Sequence, residues 1–355
     1  LASREDQPSL VGRSGLSCFR MPSPSSNSAR LALAELRRIV DPSPSGQAAR
    51  SEPPVRRKEC VLSIRDRKLL DSAADIALGS TSENAVFMHT VLCQVGLPRR
   101  AVDGTSFERR SGGAALLVEA GKLWDGEKFV QQPIPYGTKP RLILAYLNTY
   151  AVRHRTQEIE AGKSASAFLK MLGIQPNGGK RGSYTEFKKQ MTALAACKVT
   201  LGLNVGNSPT TRYANPINEF QAWASNDGCQ NNLWPKKIIL SPEYFDALVT
   251  DRHAVPMDIR AFHALSGSAL AMDIYVMLAE RLHRIGSRPV RLNWANLREQ
   301  FGQEYATDTN GKKNFKTKFL KALVSVQAVY PKAKISQVRG GIQLFSSPPP
   351  IPKLV

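Results

Sequence analysis

The order of elements along the sequence predicts an α+β protein in which one supersecondary unit occurs twice. Three observations carry this prediction. A helix, a short helix, a turn, a second long helix and two strands succeed one another in each half of the apolar part of the chain. Apolar residues recur at helical spacing in the long segments and alternate in the short ones. Ser- and Pro-rich composition sets both ends of the 355-residue chain apart from this middle.

Residues 1–58 contain "MPSPSSNSAR" and "DPSPSGQAARSEPPVRRK". Such a segment cannot bury enough apolar surface to offset its chain entropy, so a disordered basic arm is expected. "SARLALAELRRIV" within it has the pattern of one short amphipathic helix. The chain opens on Leu1, and Met21 precedes "PSPSSNSAR", which raises the reading that residues 1–20 lie upstream of the natural start.

The first unit is read over 59–252. "SENAVFMHTVLCQVGLPR" is expected to be a helix stopped by Pro98. "AALLVEAGKLW" and "KFVQQPIPYG" are expected to be two strands. "KPRLILAYLNTYAVRHR" is a helix with Pro140 in its first turn, where the missing N–H costs nothing. "SASAFLKMLG" is a short helix capped by Ser164 and ended by Gly173. "GSYTEFKKQMTALAACKV" is the next helix, with Phe187, Met191 and Leu194 on its core face. "KVTLGLNV" and "KKIILS" read as strands around a long polar excursion, 206–234.

The second unit is read over 253–346. "MDIRAFHAL" and "ALAMDIYVMLAERLHRI" are helical, "LNWANLREQFG" is a short helix ended by Gly302, and a lysine-rich helix follows. "AKISQVR" and "GGIQLF" close the unit as a hairpin. This order in each half is that of a winged helix-turn-helix, so two tandem winged-helix domains are expected. Residues 347–355 form a Pro-rich tail.

The lysine helix carries the strongest functional signal. From Asn310 to Gly341 there are seven lysines and one arginine but no acid. On a helical wheel Phe315, Phe319, Leu323 and Val326 share one face, and Asn314, Thr317, Lys318 and Lys321 share the other. Lys312 and Lys313 stand at its start. A helix kept only for solubility mixes Glu with Lys, and here Glu is missing. Lys and Thr suit phosphates, and Asn suits an adenine edge in the major groove. Lys334 and Arg339 extend the surface onto the hairpin. The corresponding positions in the first unit are Lys180, Arg181, Thr185, Lys188, Lys189 and Thr192, with Glu186 diluting that face. A solvated basic face is the bland alternative. The net charge of +20 and a pI near 10.0 favour a polyanion partner.

Other chemistry finds little support in the residues. No run of ~18 apolar residues marks a membrane span. The five cysteines form neither a CxxC pair nor a metal-type cluster, which points to reduced thiols and a cytoplasmic setting. "GGKRGS" departs from the Walker A pattern, because Arg181 follows Lys180 and the glycine spacing is one residue too long. The histidines make no HxH or HExxH pattern. We therefore expect a non-enzyme without metal or cofactor.

"VFMHTVLCQVGLPR", "IPYGTKPRLILAYLNTYAVRHR", "FLKMLGIQPNGGKRGSYTEFKKQM" and "LAMDIYVMLAERL" with "LNWANLREQFG" resemble the RepA-type replication initiators of bacterial plasmids, over roughly 84–346. The resemblance implies two winged-helix domains that bind repeated double-stranded DNA sites at a plasmid origin. It also implies help in opening the duplex and recruitment of a host replication initiator and a replicative helicase. A homodimer and a monomer both remain open, as does a transcriptional repressor built on the same fold. A nicking or priming enzyme is the further rival.

Overall fold

The computed structural model describes residues 63–79, 81–160, 165–179, 182–205, 208–220 and 237–352. The basic arm expected over 1–58 lies outside the described residues, as does the cap expected at Ser164. Chain order runs α1 (Ile64–Ala77), β1 (Ala85–His89), α2 (Thr90–Gln94), β2 (Ser106–Ser111), β3 (Ala114–Glu119), β4 (Lys122–Trp124), β5 (Phe129–Gln131) and α3 (Thr138–His154). Then come β6 (Glu158–Glu160), α4 (Ala165–Met171), α5 (Ser183–Ala196), β7 (Lys198–Val205), β8 (Ser208–Tyr213), β9 (Ile217–Phe220), β10 (Lys237–Leu240) and α6 (Pro242–Val249). The rest is β11 (Ala254–Asp258), α7 (Ile259–Ala264), α8 (Ala269–Arg281), β12 (Val290–Asn293), α9 (Trp294–Phe301), α10 (Thr309–Val329), β13 (Ile335–Val338) and β14 (Gly341–Leu344). The α+β class is as expected.

One topology occurs twice. After helix α3 come strand β6, helices α4 and α5, and later β9 and β10, in a sheet ordered β6-β10-β9. After helix α8 come β12, α9, α10, β13 and β14, in a sheet ordered β12-β14-β13. In both, the last strand lies in the middle and all pairings are antiparallel. The middle strands are apolar for that reason: Ile238 and Leu240, and Ile342 and Leu344, are all fully buried. The two copies meet through β1 and β11, which pair antiparallel from Ala85↔Asp258 to His89↔Ala254.

Four expectations change. "AALLVEAGKLW" is not one strand: the strand breaks at Ala120 and Gly121, so β3 joins β2 and β7 while β4 pairs with β5. "SENAVFMHTVLCQVGLPR" is not one helix; Ala85–His89 is a strand and only Thr90–Gln94 is helical. Its apolar residues fit a helical face, but pairing with β11 overrides that local preference. Met257 and Asp258 of "MDIRAFHAL" likewise belong to β11, and Asp258 caps α7 by accepting from Arg260 N–H. "KVTLGLNV" and "KKIILS" are strands as expected, but the excursion between them is not all loop, since Ser208–Tyr213 and Ile217–Phe220 are strands too; "KVTLGLNV" itself does not pair with "KKIILS". It is β7, paired with β3 on one side and β8 on the other, in the sheet β2-β3-β7-β8. The partner of β10 is β9, so the connection between them is 221–236, outside the described residues. Strand β12 and helix α6 are elements the sequence reading did not register.

Each copy has an aromatic centre. Phe168 of α4 packs on Phe187 of α5 with centroids 5.7 Å apart, and Tyr146 of α3 meets Phe168 edge-on at 4.7 Å. In the second copy Phe319 meets Trp294 edge-on at 5.8 Å and Phe301 at 5.7 Å, and Phe315 meets Tyr305 at 5.5 Å. The C-terminal tail folds back on this copy. Tyr330 donates its hydroxyl to Pro348 O at 2.7 Å, and Ile351 is buried.

Between the copies sits a buried ionic cluster. Arg141 of α3 is 4% exposed and grips Asp273 of α8 with two bonds, Nε to Oδ1 at 2.6 Å and Nη2 to Oδ2 at 2.8 Å. Its remaining donors reach the Leu97, Pro98 and Gly137 carbonyls. Arg99 and Arg109 both pair with Glu304, at 3.1 and 3.0 Å, in the loop that leads into α10. Burial lowers the Arg109 pKa to about 10. A Cβ on Gly96 would stand 2.9 Å from the Asp273 carboxylate, so the loop approaches this close only because Gly96 has none.

The hairpin of the second copy turns on Arg339 and Gly340, with Gly340 at φ +88. Gly341 faces β12 so closely that a Cβ would stand 2.0 Å from Leu292 O. Both neighbours are backbone and cannot swing away. Gly341→Ala is expected to split β12 from β14 and lower stability by about 1–3 kcal/mol, the usual range for overpacking. Thermal unfolding checks this beside Gly286→Ala, whose Cβ would meet nothing within 4 Å.

Candidate nucleic-acid interface

α10 starts where the sequence sets a cap. Asp308 accepts from Gly311 N–H at 2.7 Å, and the helix runs 21 residues to Val329. Phe315, Phe319, Leu323 and Val326 are buried, as the wheel requires. Lys312, Lys313, Asn314, Thr317, Lys318 and Lys321 are all exposed. The packed face therefore holds the helix, and the opposite face is left to solvent. Thr317 donates its hydroxyl to Lys313 O at 3.1 Å, which leaves that oxygen free to accept. No described carboxylate forms an ion pair with these lysines. Their charge is uncompensated locally and adds up as one positive face.

The hairpin continues this face. Lys334, just before β13, and Arg339, in the turn after it, are exposed. Arg291 of β12, also exposed, donates to the Arg339 carbonyl and so fixes the turn. The sequence reading missed Arg291 because strand β12 was not foreseen. It also passed over Lys316, whose Nζ lies 5.4 Å from the Trp294 ring centre.

The corresponding face of the first copy is more occupied. Thr185 donates to Gly179 O at 2.9 Å, and Thr192 donates to the Lys188 and Lys189 carbonyls at 3.1 Å. Lys189 is exposed, with Nζ 3.4 Å from the Tyr136 hydroxyl and 5.6 Å from its ring centre. Lys188 is half-buried. Gln190 is buried, accepts from Tyr136 N–H at 2.8 Å and donates to Glu186 at 3.1 Å. Lys180 and Arg181 lie outside the described residues. The two faces are thus alike in topology and unlike in charge.

Residues 134–295 match the family model described as plasmid encoded RepA protein. The match supports a place in the RepA-type plasmid replication family. The RepA match spans α3 to the first residues of α9, which takes in the first copy from α3 to β10 and strand β11, but not β1, the partner of β11. α10 and the β13–β14 hairpin lie beyond it. A comparison with curated proteins gives no match.

Among the described residues no group of three His, Cys, Asp or Glu side chains is placed to hold a metal ion. No described helix is long and apolar enough to cross a membrane. The buried thiols Cys93 and Cys197 are both pushed up in pKa by burial, Cys197 to about 12, so neither is a ready nucleophile.

Lys334→Ala or Arg339→Ala is expected to weaken specific and scrambled duplexes alike. Each should flatten the slope of log affinity against log salt by about 0.9, the contribution of one phosphate contact. A salt titration of each variant on both duplexes checks this. A change confined to one base position would place the side chain on a base instead.

Proposed function

We propose that this protein initiates plasmid replication by binding repeated double-stranded DNA sites at its origin, with each topological copy acting as a winged helix. α10 is the recognition helix of the second copy and β13–β14 its wing; α5 and the paired strands β9 and β10 are the equivalents in the first. The observation that carries the reading is the exposed, acid-free face of α10 beside a basic hairpin. Asn314 stands amid lysines there, so one amide able to read a base edge is flanked by charges able to hold phosphates. The buried Arg–Asp–Glu cluster ties the two copies into a defined spacing, which suits a protein that engages successive turns of one duplex. In this reading the protein performs no catalysis. It supports origin opening by the energy of binding and then recruits the host replication initiator and helicase.

A footprint on the cognate plasmid tests the reading. Direct repeats within an origin are expected; one protected site over a promoter would instead identify a transcriptional repressor on the same fold. Affinity should also fall steeply with salt, at about −0.9 in slope per phosphate neutralised. With the basic residues of both copies engaged, a slope shallower than about −2 contradicts the proposed interface. Incubation with supercoiled plasmid and Mg²⁺ addresses the enzymatic rival: the topology of the plasmid should be unchanged.

A further inference from the structure

We propose that the groove between α9 and the first half of α10 docks an acidic peptide segment of a partner protein. The groove has a volume of about 880 Å³. Trp294, Ala295 and Phe315 supply apolar surface, and Arg298, Lys312, Lys313 and Lys316 supply four positive charges around it. Glu299 is the single acid in the lining. An apolar floor with a cationic rim fits a segment that seats an apolar side chain and presents carboxylates to the rim.

Two details favour a peptide over a nucleic-acid strand. The Trp294 ring is not free to stack on a base, because Lys316 Nζ covers one side at 5.4 Å and Phe319 abuts it at 5.8 Å. Arg298 already gives Nη2 to the Tyr305 and Ala306 carbonyls, at 3.1 and 2.8 Å, while its Nε is buried without a partner. A buried donor left open is costly, and Arg298 is one of the residues that line the groove.

The groove shares Lys312 and Lys313 with the start of α10, but Asn314, Thr317, Lys318 and Lys321 do not line it. At ~100° per residue, Lys316 lies about 140° around the helix from Lys321 and about 160° from Asn314. A peptide here and a duplex there are compatible. The inference gives the proposed recruitment of host proteins a surface, and it rests on that reading only for simultaneous binding.

The test uses the full chain and three labelled probes: a short peptide of Glu and Leu, its Lys-for-Glu version, and a short oligo-dT strand. Two variants alter the groove at exposed positions away from the duplex face. Ala295→Trp fills it, and Lys316→Ala removes one rim charge. The acidic peptide should bind the parent and the basic one should not. Each variant should weaken the acidic peptide about tenfold, equivalent to ~1.4 kcal/mol, while Ala295→Trp leaves duplex affinity unchanged. The proposal falls if the acidic peptide does not bind, or binds both variants like the parent. It also falls if oligo-dT occupies the groove and is lost in Ala295→Trp, or if that variant loses the duplex as well. Failure of the replication reading looks different: no specific duplex is bound, whatever the peptide does.

Discussion

Asp273→Ala is expected to lower the stability of the protein by about 3–5 kcal/mol, the range for breaking a buried ion pair from one side. Asp273 and Arg141 are both 4% exposed and joined by two short bonds. Arg99 Nη1 lies 3.8 Å from the same carboxylate. Its removal leaves Arg99, Arg109 and Arg141 with Glu304 as the remaining acid of the cluster. Water does not reach them to compensate, since Arg109 is 1% exposed. Asp273→Asn separates charge from packing, because it keeps the shape and the acceptor but not the charge. It should lose most of the same stability. Glu304→Gln should lose less, since the Glu304 side chain is 20% exposed and solvent screens its charge. Urea unfolding of the three variants gives the comparison. A loss below about 1 kcal/mol for Asp273→Ala would mean that the cluster is not what joins the two copies.

The second large effect is on DNA. Replacing Asn314, Lys318 and Lys321 together with Ala should weaken the specific duplex strongly and the scrambled duplex less. A bidentate amide contact discriminates by roughly 1–3 kcal/mol, so its loss alone narrows the specificity ratio about 5- to 150-fold. The two lysines add the phosphate component, and the salt slope should flatten by about two units. The melting temperature should hardly move. All three side chains are exposed, while Phe315 and Phe319 keep α10 in place at 1% and 0% exposure. If the triple variant binds the specific duplex like the parent, recognition lies elsewhere, and α5 of the first copy is the next helix to change.

Some of the architecture was legible because its causes are local. The period of Phe315, Phe319, Leu323 and Val326 determines which face of α10 is packed, whatever it packs against. Gly302 and Gly340 mark a helix end and a turn by backbone chemistry confined to a few residues. The β13–β14 hairpin was legible for the same reason. The RepA resemblance also rested on contiguous blocks, and 134–295 bear it out.

Other features had no local signature. Ala85–Gln94 has apolar residues that satisfy a helix as well as a strand, and β11, far along the chain, decides between them. β7 alternates as any half-buried strand does, so only the sheet reveals that it joins β3 rather than β10. Arg141 and Asp273 are 132 positions apart, and each alone reads as an ordinary surface charge. The groove beside Trp294 exists only because α9 and α10 are set at their observed separation. The amphipathic period, the caps and the acid-free face of α10 were therefore determined by the sequence itself, because they depend on neighbours three or four residues away. Strand partners, the buried guanidinium cluster and the groove were decided by tertiary structure alone, because burial and pairing are properties of which distant segments meet.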